Sequence, residues 1–454
     1  MRKVNVDMLS GSITKGLLKL SIPIMIMNVM QMLFNVIDMT VLGKFSNDTA
    51  VGAVGACGTL ITLCTGLLVG IAAGANIVIA KRIGSGEEEK VHNAVGSAVL
   101  MAIVGGFILL IVGVIFAEDF LRLTNCPESI IAKAVLYFRL YFIGAPILML
   151  YNFFAAILRA TGDSMRPMYF LLIGGAVKIV LNIFFITVLN MTVEGVAIST
   201  IISNAIAATL CFFAMQKSPA PLHFKKLRFF KDETWEMLYL GVPTGLQSAL
   251  YSFANTVITT TVNGFGPDAT TGLSIANQFD SILYYITYSP ALAVTPYVAQ
   301  NLGAGKYDRV KKALVSSILI TTCFGVVFGS LSAGFSGQLS SLMSSTPEVI
   351  SYSQQKMIII SSTYFICGIN EIFGGVMRGL RKPLLPTICT LLYMCLLRFV
   401  WIYLVFPLCP TLSFLYTVWP VGWVLSILTL IIPCLLTISK LQKQALCDEK
   451  ATLN

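Results

Sequence analysis

The chain has 454 residues and a formal net charge of +10, from 31 Lys and Arg against 21 Asp and Glu. Hydrophobic residues make up 56% of it and charged residues 11%, where a soluble domain carries roughly 25% charged residues. So little charge cannot solvate a surface in water, which excludes a soluble enzyme or nucleic-acid-binding module and makes lipid the natural solvent.

The N-terminal stretch MRKVNVDMLSGSITKGLLKLSIPIMIM runs into a long apolar span without a small-residue cleavage site. It reads as a retained first helix with a basic start, not a removable signal peptide. Transmembrane helices are predicted near 17–42, 50–79, 94–117, 131–157, 168–190, 194–216, 236–262, 272–299, 313–335, 350–376, 384–407 and 414–438. Each can cross a hydrocarbon core of ~30 Å with some tilt. The expected architecture is an all-α polytopic membrane protein with twelve transmembrane helices. Residues 1–216 form an N-terminal six-helix lobe, 217–235 a cytoplasmic linker, 236–440 a C-terminal six-helix lobe and 441–454 a tail.

Lysines and arginines sort between alternate loops. One side carries Arg2, Lys3, Lys15 and Lys19, then Lys81, Arg82 and Lys90, then Arg159 and Arg166. It continues through Lys217 and the KKLRFFK run at 225–231, then Lys306, Arg309, Lys311 and Lys312, Arg378, Arg381 and Lys382, and the C-terminal Lys440, Lys443 and Lys450. The opposite loops hold little beyond Lys44 and Arg122. The positive-inside rule then places both termini in the cytoplasm of a bacterial inner membrane, as an even helix count requires. KKLRFFK is read as a topogenic linker in preference to an anionic-lipid site. No long polar stretch leaves room for a nucleotide-binding domain, and GAGK at 303–306 lacks the rest of a phosphate loop. The eleven cysteines form no C-x-x-C pair and read as small packing residues. His92 and His223, the only histidines, fall in predicted loops, which argues against a histidine metal site or proton relay in the membrane. The glycine ladder Gly66, Gly70 and Gly74 reads as a close helix-packing face.

The chain also repeats itself. The loop AKRIGSGEEEKVHNA at 80–94 matches AQNLGAGKYDRVKKA at 299–313 through Ala80/Ala299, Gly84/Gly303, Gly86/Gly305, Val91/Val310 and Ala94/Ala313. LRATGDSMRP at 158–167 matches MRGLRKPLLP at 377–386 through Arg159/Arg378 and Pro167/Pro386. With one residue of slippage, Pro23/Pro243, Asn35/Asn255, Asp48/Asp268 and Gly52/Gly272 also align. Six helices separate each pair, so the halves enter the membrane with the same orientation and form a parallel repeat. Such a repeat suits two lobes that rock about a central cavity, and it makes transport the leading function class.

These residues resemble those of a known family. PIMIMNVMQMLFNVIDMTVLGKFS, the paired loops GSGE and GAGK, LRATGD followed by MRGL, and GVPTGLQSALYSFANT are similar in order and spacing to the multidrug and toxic-compound extrusion (MATE) family, of the multidrug/oligosaccharidyl-lipid/polysaccharide exporter superfamily. The resemblance spans nearly the whole chain. It implies a secondary active exporter of organic, drug-like and often cationic compounds, driven by inward flow of sodium ions or protons and needing no cofactor. Lipid-linked saccharide flippases share the architecture and are the alternative.

Asp38 matches the family's first-helix acidic residue, which implies a role in binding the coupling ion. Lys178, Asn182 and Thr200 occupy the companion positions on helices five and six, where sodium-binding members carry an asparagine and an aspartate. A lysine ammonium near Asp38 takes the place of a bound sodium ion, so proton coupling is favoured. A transported sodium ion near Asp38 is the one metal considered.

Intramembrane charges are costly and mark function until paired. Arg139 is placed to pair with Asp38. Arg398, the counterpart of Lys178 at an offset of 220, is placed to pair with Asp280, which otherwise faces the cavity as a second protonatable group. Glu371 reads equally as a cavity carboxylate or as an interfacial group near Arg378. Gln31, Asn35, Tyr251, Asn255, Gln278, Tyr284 and Tyr288 complete the cavity candidates, since aromatic faces and scattered carboxylates hold organic cations without strict shape matching. No nucleophile–base or metal-ligand set suggests an enzyme, and the basic G-x-x-x-D motif of a major-facilitator transporter is absent after helix two. The chain is expected to act as a monomer among membrane lipids.

Overall fold

The computed structural model describes residues 6–46, 48–124 and 126–453. Arg2 and Lys3 lie outside the described residues, as do the side chains of Asp48 and Lys450. Twelve long helical segments follow in order: α1 Ile13–Phe45, α2 Asp48–Gly84, α3 Glu88–Ile115, α4 Glu128–Ile143 with Ala145–Ala160, α5 Met165–Thr187 and α6 Val193–Gln216. The second half adds α7 Lys231–Asn263, α8 Pro267–Gly303, α9 Tyr307–Gly334, α10 Pro347–Gly379, α11 Leu384–Leu408 and α12 Val418–Leu453.

Nine of these segments are long and apolar enough to cross a membrane alone, and the two parts of α4, bent by 49°, make a tenth. The bend falls at Gly144, with Pro146 in the first turn of the second part, where its missing N–H costs nothing. α7 and α8 fall below that apolar standard because they carry runs such as GLQSALYSFANTVITTT. Their polarity has a structural use in the second unit, described below.

The repeat is visible in backbone geometry. Gly86 and Gly305 both take left-handed φ angles, 72° and 69°, in the matching loops. Gly86 N donates to Ile83 O and Gly305 N to Leu302 O, each at 3.2 Å. The second pair of loops turns the same way at Gly162 (φ 85°) and Arg381 (φ 62°). Gly162 N bonds Arg159 O at 3.0 Å and Arg381 N bonds Arg378 O at 2.9 Å. Arg381 holds a conformation that costs a non-glycine residue roughly 1–2 kcal/mol, so the two loops share a turn although only one has glycine there.

The chain divides into two compact units. One comprises Ile26–Leu246 with the segment ending at Val6; the other comprises Asp7–Met25 and everything from Gln247 onward. Space thus groups the start of α1 with the second unit and the first half of α7 with the first, whereas a division by sequence keeps each helix whole.

In the first unit the glycine ladder of α2 meets α7. A Cβ at Gly70 would lie 2.3 Å from Gly245 N, and one at Gly74 would lie 2.4 Å from Met237 O. The segment before α7 packs on α3, where Phe230 N donates to Ser97 Oγ at 3.0 Å and His92 Nδ1 meets His223 O at 2.5 Å. Arg82 at the end of α2 reaches Glu233 and Glu236 of α7 at 3.7 and 3.6 Å. Beside it Lys90 draws the Glu87 carboxyl down to about 2 by favouring its charged form. In the second unit Arg309 donates to the carbonyls of Met8, Ser10 and Gly11 and so ties the segment before α1 to the first turn of α9.

Candidate functional site

Within the first unit, three helices bring polar side chains to one buried point. Lys178 Nζ of α5 lies 2.6 Å from Asp38 Oδ2 of α1, and Asn182 Nδ2, one turn along α5, donates to Asp38 Oδ1 at 2.6 Å. Ser199 of α6 gives its hydroxyl to Asn182 Oδ1 at 2.5 Å. Asp38 and Lys178 are 6% and 7% exposed, and Asn182 and Ser199 not at all. Each carboxylate oxygen therefore has a partner, and the carboxamide is oriented by the serine behind it.

Two expectations are corrected here. Thr200 is not in the cluster: its hydroxyl bonds Val196 O at 2.8 Å, and its neighbour Ser199 faces Asn182 instead. One residue on a helix is a rotation of about 100°, enough to exchange an inward face for another. Arg139 does not pair with Asp38. It is exposed, and its Nε donates to Val114 O at 3.2 Å. Gln31 and Asn35 also lie on exposed faces.

In the second unit a cavity of about 310 Å³ is lined by residues of α7, α8, α10 and α12. Tyr251, Asn255, Asp280 and Tyr284 line it; Gln278 is exposed and Glu371 does not line it. Tyr284 stacks between Tyr251 and Tyr288, with ring centroids 6.4 and 5.1 Å away. Arg378 gives its Nη1 to Gln247 Oε1 at 3.2 Å, not to Glu371.

The anticipated Arg398–Asp280 pair is not made. Asp280 Oδ2 instead meets Lys356 Nζ at 2.7 Å, a residue of α10 that also donates to Asn277 Oδ1. Sequence offers one signal for Lys356, a lone lysine before an apolar run, but no spacing rule names its partner. Arg398 is 1% exposed and donates to Asn255 Oδ1 at 2.6 Å. Its guanidinium lies over the rings of Tyr251 and Trp419, 5.2 and 5.0 Å from their centroids. α11 is wound in wide π turns on both sides of Arg398, a distortion frequent at functional sites.

This architecture has known relatives. The MatE family model matches residues 23–182 and 243–404. The probable multidrug resistance protein YoeA of Bacillus subtilis is 29% identical over 383 residues, 82% of each chain. A protein named FAD transporter from Shewanella oneidensis is 24% identical over 399 residues, covering 86% of this chain and 87% of that one. Among solved structures, the outward-facing conformation of a multidrug resistance MATE family transporter of the MOP superfamily matches with a TM-score of 0.90, over 97% of this chain and 99% of that one, at 19% identity. That last likeness is one of fold. With the paired halves, the buried ion pairs and a family model spanning both halves in register, the chain belongs to the MatE family and is a multi-pass membrane transporter, not an enzyme.

Proposed function

We propose that this transporter is a secondary active multidrug exporter that moves organic compounds, cations among them, out of the bacterial cell in exchange for protons. Asp38 is the coupling carboxylate, with Lys178, Asn182 and Ser199 as its partners. The observation that carries the reading is that Lys178 holds an ammonium 2.6 Å from a buried Asp38. A sodium ion needs several oxygen ligands, and here the carboxylate is already neutralised by the chain's own cation. A proton reaching Asp38 cancels the charge that holds Lys178, frees the ammonium and changes the packing of α1 against α5. The names of relatives such as YoeA support drug-like substrates. The charge pattern supports a bacterial inner-membrane location with both termini in the cytoplasm, and each unit's self-contained site supports action as a monomer.

The test is uptake of a fluorescent organic cation into liposomes under separately imposed proton and sodium gradients. Proton-driven movement is expected, falling at least about tenfold in Asp38→Asn, as a catalytic-scale loss of one proton-transfer group does. Sodium-driven exchange that vanishes in Asp38→Asn but survives in Lys178→Ala would defeat proton coupling. Movement under neither gradient would direct attention to the flippase alternative and to lipid-linked saccharides as substrates.

A further inference from the structure

Lys356 has surroundings that go beyond an ion pair. Its Nζ is 2.7 Å from Asp280 Oδ2, donates to Asn277 Oδ1 and stands 5.6 Å from the centroid of the Trp419 ring, with the residue 2% exposed. A carboxylate, a carboxamide oxygen and an indole face around one positive nitrogen are the groups with which a protein binds an organic cation. Here they are assembled around a side chain of the protein itself. The carboxylate is also not saturated, since Asp280 Oδ1 is buried without a hydrogen-bond partner among the described residues. Beside it lies the cavity of about 310 Å³, walled by Tyr251, Tyr284 and Tyr364, a volume at the lower end of small-molecule sites.

We infer that Lys356 is a tethered occupant of an organic-cation site in the second unit. Its ammonium fills the position that the charged nitrogen of an aromatic ammonium substrate would take between Asp280, Asn277 and Trp419. Lys356 thereby sets the selectivity of the cavity: a cation enters only by displacing it. A tethered group competes at an effective concentration of millimolar or more, so the intact site is weak for free cations. The electrostatics agree. Asp280 and Lys356 cancel, and Arg398 on the other approach to Trp419 adds a positive charge that forms no ion pair among the described residues. This inference deepens the export function proposed above and rests on reading the cavity as part of the substrate path.

Benzyltrimethylammonium, whose charge is fixed, is the probe, titrated calorimetrically into the purified full-length protein in detergent without any gradient. Lys356→Met is expected to bind it at least about tenfold more tightly than the wild type, and Lys356→Arg is expected to match the wild type. Lys356→Met combined with Asp280→Asn is expected to lose the gain. Asp280→Asn alone leaves an uncancelled ammonium and is expected to gain affinity for benzenesulfonate instead; it carries the test where Lys356→Met does not stay monodisperse. A folded Lys356→Met no tighter than the wild type would overturn the inference. So would a gain that persists in the double variant, or an Asp280→Asn protein indifferent to the sulfonate. Binding is read without transport, so failure here leaves the proton-exchange reading intact, and failure of gradient-driven transport leaves the binding result standing.

Discussion

Lys178→Met is expected to destabilise the protein by about 3–5 kcal/mol, the usual cost of removing one member of a buried ion pair. Among the described residues Asp38 keeps only its bond from Asn182 at 2.6 Å, and at 6% exposure water cannot replace the ammonium. Asp38→Asn should cost a comparable amount, because it strands Lys178 at 7% exposure. The double variant Asp38→Asn with Lys178→Met should recover most of the loss, since two neutral groups need no counter-charge. Thermal unfolding in detergent reads all four proteins. Transport should follow a different order: the double variant regains stability but not proton-driven exchange. If transport returned together with stability, the pair would be structural and the coupling site would lie elsewhere. If the two single losses simply added, the residues would not be energetically coupled, against the 2.6 Å contact.

The second large effect is steric. Gly70→Ala and Gly241→Ala are each expected to cost about 1–3 kcal/mol or more, as overpacking of a closed contact does. The added Cβ would meet Gly245 N at 2.3 Å in one case and Ile71 Cα at 2.4 Å in the other. Those atoms are backbone, so the helices themselves must separate, and the loss should spread to Gly74 and Gly245, whose added Cβ atoms meet backbone at 2.4 and 2.7 Å. Gly58 on the same α2 has nothing within 4 Å of its would-be Cβ. Gly58→Ala should therefore stabilise by about 0.5–1 kcal/mol through helix propensity alone. Opposite signs from one substitution on one helix isolate the packing cost; equal effects would mean that the α2–α7 crossing is looser than described.

The two sites differ in how far they could be anticipated. Asp38, Lys178 and Asn182 are legible because the resemblance links α1 to α5, and a lysine and an asparagine four residues apart share a helix face. Ser199 in place of Thr200 was beyond reach, because both hydroxyls sit on α6 and only its rotation selects between them. In the second unit the repeat makes Arg398 the counterpart of Lys178 and so a partner for Asp280. A repeat fixes position along the chain and not rotation about each helix, and the neighbour that closes on Asp280 is Lys356 from a different helix. Arg139 shows the same limit: its helix face turns it to Val114 and not to Asp38.

Sequence by itself determined the solvent, the helical segments, the parallel repeat and the charge asymmetry. These follow from quantities that add along the chain: hydropathy over a span, lysines and arginines per loop, and identities at an offset of 219 or 220. The same local register carried the left-handed turn through both halves, with arginine in one where glycine stands in the other. Tertiary structure alone decided which helices touch. It set the α2 glycines against α7, gave Lys356 to Asp280, left Arg398 between two aromatic rings and formed the tyrosine-lined cavity. The physical reason is that an ion pair or a backbone contact depends on the rotation and approach of two helices to within an ångström or two. Hydropathy is indifferent to both.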